Sequence, residues 1–187
     1  VHCSDNSKIM GRGIITQNDW GAWGGNNRRN PLSVGYEPVD YNGNTPYNNG
    51  KGGEELGSSN VQVIGISVLD STGWAVNIRN SDNVLLKDVN VITARSNGDG
   101  ITIQSSYNVM LDGCFVRSSD DSIVVKNYDS INSHDILVQN CTVWTDIAQS
   151  LEIGYETDMG GASASRCEAG YANTDAKIYN IFFKDID

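Results

Sequence analysis

NVLLKDVNVITARSNGDGITIQSSYNVMLDGCFVRSSDDSIVVK, residues 83–126, holds two copies of one pattern. Each copy opens with Asn-Val, at Asn83 and Asn108, and runs on through alternating apolar and polar residues. Each then passes a Ser-rich corner and ends in a β-branched run opened by aspartate. Asp99 precedes Ile101-Thr102-Ile103, and Asp120-Asp121 precede Ile123-Val124-Val125. Apolar residues at alternate positions predict short strands with one buried side. A helical period is nearly absent.

The same anchor recurs outside this stretch. Asn60, Asn83, Asn108, Asp135 and Asn180 each open such a run, at spacings of 23, 25, 27 and then 45 residues, and Lys8–Thr16 (KIMGRGIIT) is an earlier copy. A period in the twenties with several β-branched runs per unit is the mark of a solenoid. Leucine-rich repeats share the period, but their regular leucines are missing. The expected fold is therefore all-β, a right-handed parallel β-helix in which each repeat is one coil of about three strands. Each strand pairs with its equivalent in the next coil, about 4.8 Å away. Val, Ile and Leu stack inward, and Asn60, Asn83 and Asn108 form a side-chain ladder at a coil corner. An open solenoid needs covered ends. Residues 1–187 thus read as a single β-helix domain that is one part of a longer one. Residues 17–59, rich in Gly, Asn, Trp and Tyr, read as a long loop, and 157–176 as a second loop. Trp20 and Trp23, in the first of these, are candidates for a sugar subsite.

Thirteen Lys+Arg against 23 Asp+Glu give a formal net charge of −10. That argues against nucleic acid and anionic membrane surfaces as partners. No apolar run approaches the roughly 20 residues of a membrane span. No leader is visible, and the chain opens at Val1, as a processed or partial chain would. Four cysteines show no zinc spacing. Cys114 and Cys141 hold equivalent places in successive repeats, which favours buried core thiols over a disulfide. His2 and His134 are lone corner histidines with no assigned chemistry. Nothing calls for a cofactor or a metal.

Superposing the repeats by their apolar positions puts Ile101, Ile123 and Leu151 in one column and Ile103, Val125 and Ile153 in another. Asp99, Asp121 and Gln149 then share a column, with Asp120 just before it and Trp74 one coil earlier. Thr102, Val124 and Glu152 have the opposite parity and point out of the coil. One aspartate at a corner is usually a turn residue bonded to its own backbone. Three converging carboxylates repel one another, so turn structure alone gives no reason to collect them. Hydrolysis of a glycosidic bond does: one carboxyl gives a proton to the leaving oxygen, and another acts on water or as nucleophile.

Asn97-Gly98-Asp99-Gly100, followed by Ser119-Asp120-Asp121, resembles the N-T-D-G and G-D-D motifs of the polygalacturonase-like glycoside hydrolases, family 28 and its pectin-lyase-like β-helix relatives. Gly11-Arg12-Gly13-Ile14, Ser59-Asn60-Val61-Gln62-Val63 and Ser81-Asp82-Asn83-Val84 carry the likeness upstream. The resemblance implies a polysaccharide hydrolase with Asp120 as general acid. Asp99 and Asp121 would activate the water, with inversion at the anomeric carbon. It also implies a secreted or cell-surface protein, or a periplasmic one.

Gln149 stands where the family has a histidine, and Glu152 is an addition. From this departure, polygalacturonate is not expected to be the best substrate. Glu152, Lys126 and Trp74 join Gln149 as candidate substrate contacts. Glu152 could touch a hydroxyl, Lys126 a carboxylate, and Trp74 could stack on a pyranose. Three further readings of the same scaffold are a hydrolase of a neutral glucan, a calcium-dependent pectate lyase and a non-catalytic carbohydrate-binding β-helix. The lyase would need an arginine beside the aspartates, and the aligned coils place none there.

Overall fold

The computed structural model describes residues 1–16, 30–35, 57–71, 73–127, 131–155, 157 and 176–187. Every paired strand among them is parallel to its neighbours, and no helix occurs. The strands wind as successive coils. The first holds β1 (His2–Cys3), β2 (Lys8–Met10) and β3 (Ile14–Thr16); the second β4 (Leu32–Val34), β5 (Ser59–Ile64) and β6 (Ser67–Leu69). The third has β7 (Val76–Arg79), β8 (Asp82–Lys87) and β9 (Asn90–Ile92), and the fourth β10 (Ile101–Gln104), β11 (Tyr107–Asp112) and β12 (Phe115–Ser118). The fifth is β13 (Ile123–Lys126) and the long β14 (Ser133–Thr145), and the last described coil is β15 (Leu151–Ile153) and β16 (Ile178–Ile186). The first strand of each coil builds one six-stranded sheet, β1-β4-β7-β10-β13-β15. The rest build the other two sides, which β14 joins by running through the corner between them. This is the expected right-handed parallel β-helix.

Two departures from the sequence reading concern boundaries. Pro31-Leu32-Ser33-Val34 lies inside the segment read as a loop, yet Leu32–Val34 is β4, fully buried and paired with Val76–Ile78. Its three-residue length carries too little periodicity to stand out among the Gly and Asn around it. Residues 17–29, with Trp20 and Trp23, and 36–56 lie outside the described residues, as do 158–175. The corner between the second and third sides does not interrupt β14 and β16 as it does the earlier coils. Asn140 and Asp185, at φ 55° and 52°, still bend the chain there.

The core follows from the ladders. Val76, Ile101 and Ile123 stack, as do Ile78, Ile103 and Val125, and Val84, Val109 and Ile136. All are buried, and each such side chain contributes about 1.5–3 kcal/mol of burial. Cys3, Cys114 and Cys141 are buried free thiols, as the repeat position of the last two suggested. The Asn column is present too: Asn60 donates to Asn6, Asn83 to Asn60, and Asn108 to Asn83, at 3.1–3.4 Å. Asn180 donates to Asp135 at 3.0 Å in the same column. All six residues have φ between 52° and 60°, a left-handed conformation that Asn and Asp tolerate best after Gly. Both the backbone geometry and the side-chain ladder therefore select Asn here. His134 stacks between Tyr107 and Tyr179, with centroids 5.0 and 4.8 Å apart, a structural place for a residue given no chemistry.

Candidate active site

The aspartates sit where the third side of the coil turns into the six-stranded sheet. β10 pairs with β13 in the register Ile101↔Ile123, which puts Asp99 opposite Asp121. The backbone fixes this directly, since the Gly100 N–H donates to the Asp121 carbonyl at 2.8 Å. One coil further, the Ser122 N–H donates to the Gln149 carbonyl at 2.8 Å, so Gln149 follows in the same column. Adjacent strands lie about 4.8 Å apart, so Asp99 and Asp121 are neighbours across one coil step.

Small residues make this approach possible. A Cβ on Gly100 would meet the Ser122 carbonyl oxygen at 2.4 Å, and one on Gly98 would meet the Arg95 carbonyl oxygen at 2.4 Å. Both glycines of Asn97-Gly98-Asp99-Gly100 are therefore required by packing. Asp99 itself is 5% exposed, whereas Asp120 and Asp121 are half-buried. The Asp120-Asp121 turn is held from below by hydroxyls. Ser118 and Thr145 both donate to the Asp120 carbonyl, at 2.7 and 2.8 Å, and Ser122 donates to the Trp144 carbonyl at 3.0 Å. The carboxylates are oriented by backbone donors. The Asp121 N–H reaches Asp120 Oδ1 at 3.2 Å, and the Gln149 N–H reaches Asp121 Oδ1 at 3.1 Å. Each bond engages one oxygen of its carboxylate.

The other predicted contacts divide. Glu152 pairs in register with Val124, and Val124 with Thr102, on the outward side of the sheet, and Glu152 is half-buried. Gln149 is exposed beside Asp121. Lys126 is 1% exposed, so it is no surface lysine. Its ammonium lies 4.1 Å from the centroid of the Trp74 ring. That cation occupies one ring face of Trp74, which is therefore not open to a sugar on that side.

Sequence reasoning passed over Asn77, Thr102 and Gln104. They are outward residues of β7 and β10, buried to 1% exposure or less. Gln104 Nε2 donates to Asn77 Oδ1 at 2.6 Å. The sequence carried no signal for them, since polar residues at alternate positions are ordinary on the outward side of a strand, and only their burial sets these apart.

Residues 55–146 match the family described as Glycosyl hydrolases family 28, a span that includes all three aspartates but neither Gln149 nor Glu152. Over 76 residues, 40% of this chain, the sequence is 32% identical to a "Probable polygalacturonase" of Vitis vinifera and covers 16% of that protein. The fold is similar to that of a hyperthermoactive exopolygalacturonase from Thermotoga maritima, with a TM-score of 0.56 at 24% identity, over 69% of this chain and 27% of that one. The chain thus spans under a third of either relative.

Proposed function

This chain is polygalacturonase-like, with the glycosyl hydrolases family 28 pattern over residues 55–146, and from that premise we propose that the protein hydrolyses glycosidic bonds of a pectic polysaccharide by inversion. The observation that carries the proposal is the Ile101↔Ile123 register, which sets Asp99 and Asp121 side by side with Asp120 at their flank. Asp120, in its acid form, gives its proton to the glycosidic oxygen as the bond to the anomeric carbon breaks. Asp99 and Asp121 hold a water on the opposite face of the ring and take its proton as its oxygen bonds to that carbon. Inversion follows from attack on the face opposite the leaving group. The short Asp99–Asp121 step lies within the water-holding pair, so it carries no implication of retention.

The backbone bonds assist this division of labour. The Asp121 N–H at Asp120 and the Gln149 N–H at Asp121 each hold one oxygen, so each carboxyl keeps an oxygen for substrate or water. Gln149, Glu152, Lys126 and Trp74 are proposed as the surrounding substrate contacts. The test is a panel of pectic and neutral polysaccharides incubated with the full-length protein, with reducing ends and anomeric configuration followed by NMR. Release of the inverted anomer, undiminished by chelator, is the expected result. Unsaturated products that require calcium, or no release from any polymer, would overturn the reading.

A further inference from the structure

The outward row of β10 lies under a contact that crosses it. Register puts Trp74 opposite Asp99 and Lys126 opposite Gln104. The two side chains come from the coils on either side of β10 and from opposite ends of its strand, yet they meet at 4.1 Å. Their contact therefore passes over β10, above Thr102 and Gln104. Beneath it, Thr102 Oγ1 and Gln104 Oε1 are buried and have no hydrogen-bond partner among the described residues. Thr102 and Gln104 are each 0% exposed. Leaving such a group unpaired disfavours the folded state. The Gln104 amide is oriented, because its Nε2 is committed to Asn77 Oδ1 at 2.6 Å. Its Oε1 can only accept, so its missing partner is a donor.

We infer that Thr102 and Gln104 form a sugar subsite that reads free hydroxyl groups of the substrate. This rests on the hydrolytic reading above and adds a specificity to it. Thr102 lies three residues along the strand from Asp99, and Gln104 five, so about 10 and 17 Å separate them from the aspartates. One oligosaccharide can span both places. Substrate displaces the Trp74–Lys126 contact, a sugar hydroxyl donates to Gln104 Oε1, and a second hydroxyl pairs with Thr102 Oγ1. Where the hydroxyl that faces Gln104 is O-acetylated, that oxygen has no hydrogen to donate and the acceptor stays buried and unpaired, so the site rejects that unit.

The test compares the full-length protein with Thr102→Val and Gln104→Leu on a deacetylated pectic polymer and on the same polymer after chemical O-acetylation. Thr102→Val is nearly isosteric and removes only the hydroxyl, whereas Gln104→Leu also removes the donor to Asn77. The parent is expected to have a KM on the order of tenfold higher on the acetylated polymer, the ratio that one lost hydrogen bond of about 1.4 kcal/mol gives. Each variant should raise KM on the free polymer by a similar factor, keep kcat, and narrow the preference. The melting temperature of Thr102→Val should hold or rise, since it deletes only an unpaired buried group, whereas Gln104→Leu also breaks the bond to Asn77 and should melt lower. Unchanged KM and unchanged preference in both variants, or a fall in the melting temperature of Thr102→Val with KM intact, would show a structural role instead. Calorimetric binding of trigalacturonate keeps the subsite distinct from the reaction. If no polymer is cut, the hydrolytic reading fails, but binding weakened by Thr102→Val would still support the subsite, and equal binding would sink it.

Discussion

Gly100→Ala should unfasten the step that brings two aspartates together. The added Cβ would sit 2.4 Å from the Ser122 carbonyl oxygen and 2.4 Å from Val116 Cγ1. Neither atom can withdraw easily. The Ser122 carbonyl accepts the Ile101 N–H at 2.8 Å, and Val116 is fully buried in the core. Relief requires the fourth and fifth coils to part by about 1 Å at this point. Overpacking of this kind costs about 1–3 kcal/mol. Weakening the bonds from Gly100 to Asp121 and from Ile101 to Ser122 adds about 1 kcal/mol each. The sum, about 3–5 kcal/mol, corresponds to a fall in Tm of about 6–20 °C for a unit of about 150–250 residues and to less in a longer β-helix. Thermal unfolding of the full-length protein followed by circular dichroism measures it. Gly13→Ala is the control, because a Cβ there meets nothing within 4 Å and its change should lie near zero. Activity below the melting transition should also fall, on the order of 10²-fold, as the carboxylates are displaced by about 1 Å. If Gly100→Ala melts with Gly13→Ala and keeps full activity, the close approach is not what sets the site.

Asp120→Asn should lower turnover of the natural polymer by about 10²–10⁴-fold and of an activated aryl glycoside far less; steady-state rates on both substrates decide whether Asp120 is the acid. Asn83→Ala should destabilise by about 1–2 kcal/mol, because Asn83 holds φ 54°, whereas Asn83→Gly should lose only the ladder bonds; denaturant titration separates the two. Cys114 is pushed up in pKa by its hydrogen bond with Cys141 and by burial. With Cys3, Cys114 and Cys141 all buried, an aqueous disulfide reagent should label these thiols only after unfolding, as a thiol assay with and without denaturant would show.

The coil was readable because its signals are local and repeated. Asn83 and Asn108 mark a corner, and the alternation after them marks a side. Each copy corroborates the next, so the pairing of Ile101 with Ile123 could be set before any strand was seen. β4 was not readable, since Leu32–Val34 has three residues and no neighbouring copy within the twenties. The aspartate column came from the same alignment that gave the fold. The fate of Lys126 did not. Its burial depends on where the Trp74 side chain travels across an intervening coil, which no sequence pattern records. Thr102 and Gln104 were passed over because an outward polar residue on a strand normally needs no explanation, and only their burial makes them one.

The left-handed corners carry a consequence for how such a molecule can change. Asn60, Asn83, Asn108, Asp135 and Asn180 mark one corner, and Gly65, Asp88, Gly113, Asn140 and Asp185 mark the next, always five residues later. That arc is a fixed gauge. The 23-, 25-, 27- and 45-residue intervals between successive corners must therefore absorb all their surplus elsewhere on the circuit. The circuit's remainder contains the six-stranded sheet and the turns on either side of it, where Asp99, Asp120 and Asp121 lie. One flank of the solenoid behaves as a ruler, and insertions collect on the other. New substrate contacts can then be added beside the aspartates without shifting the register that aligns them.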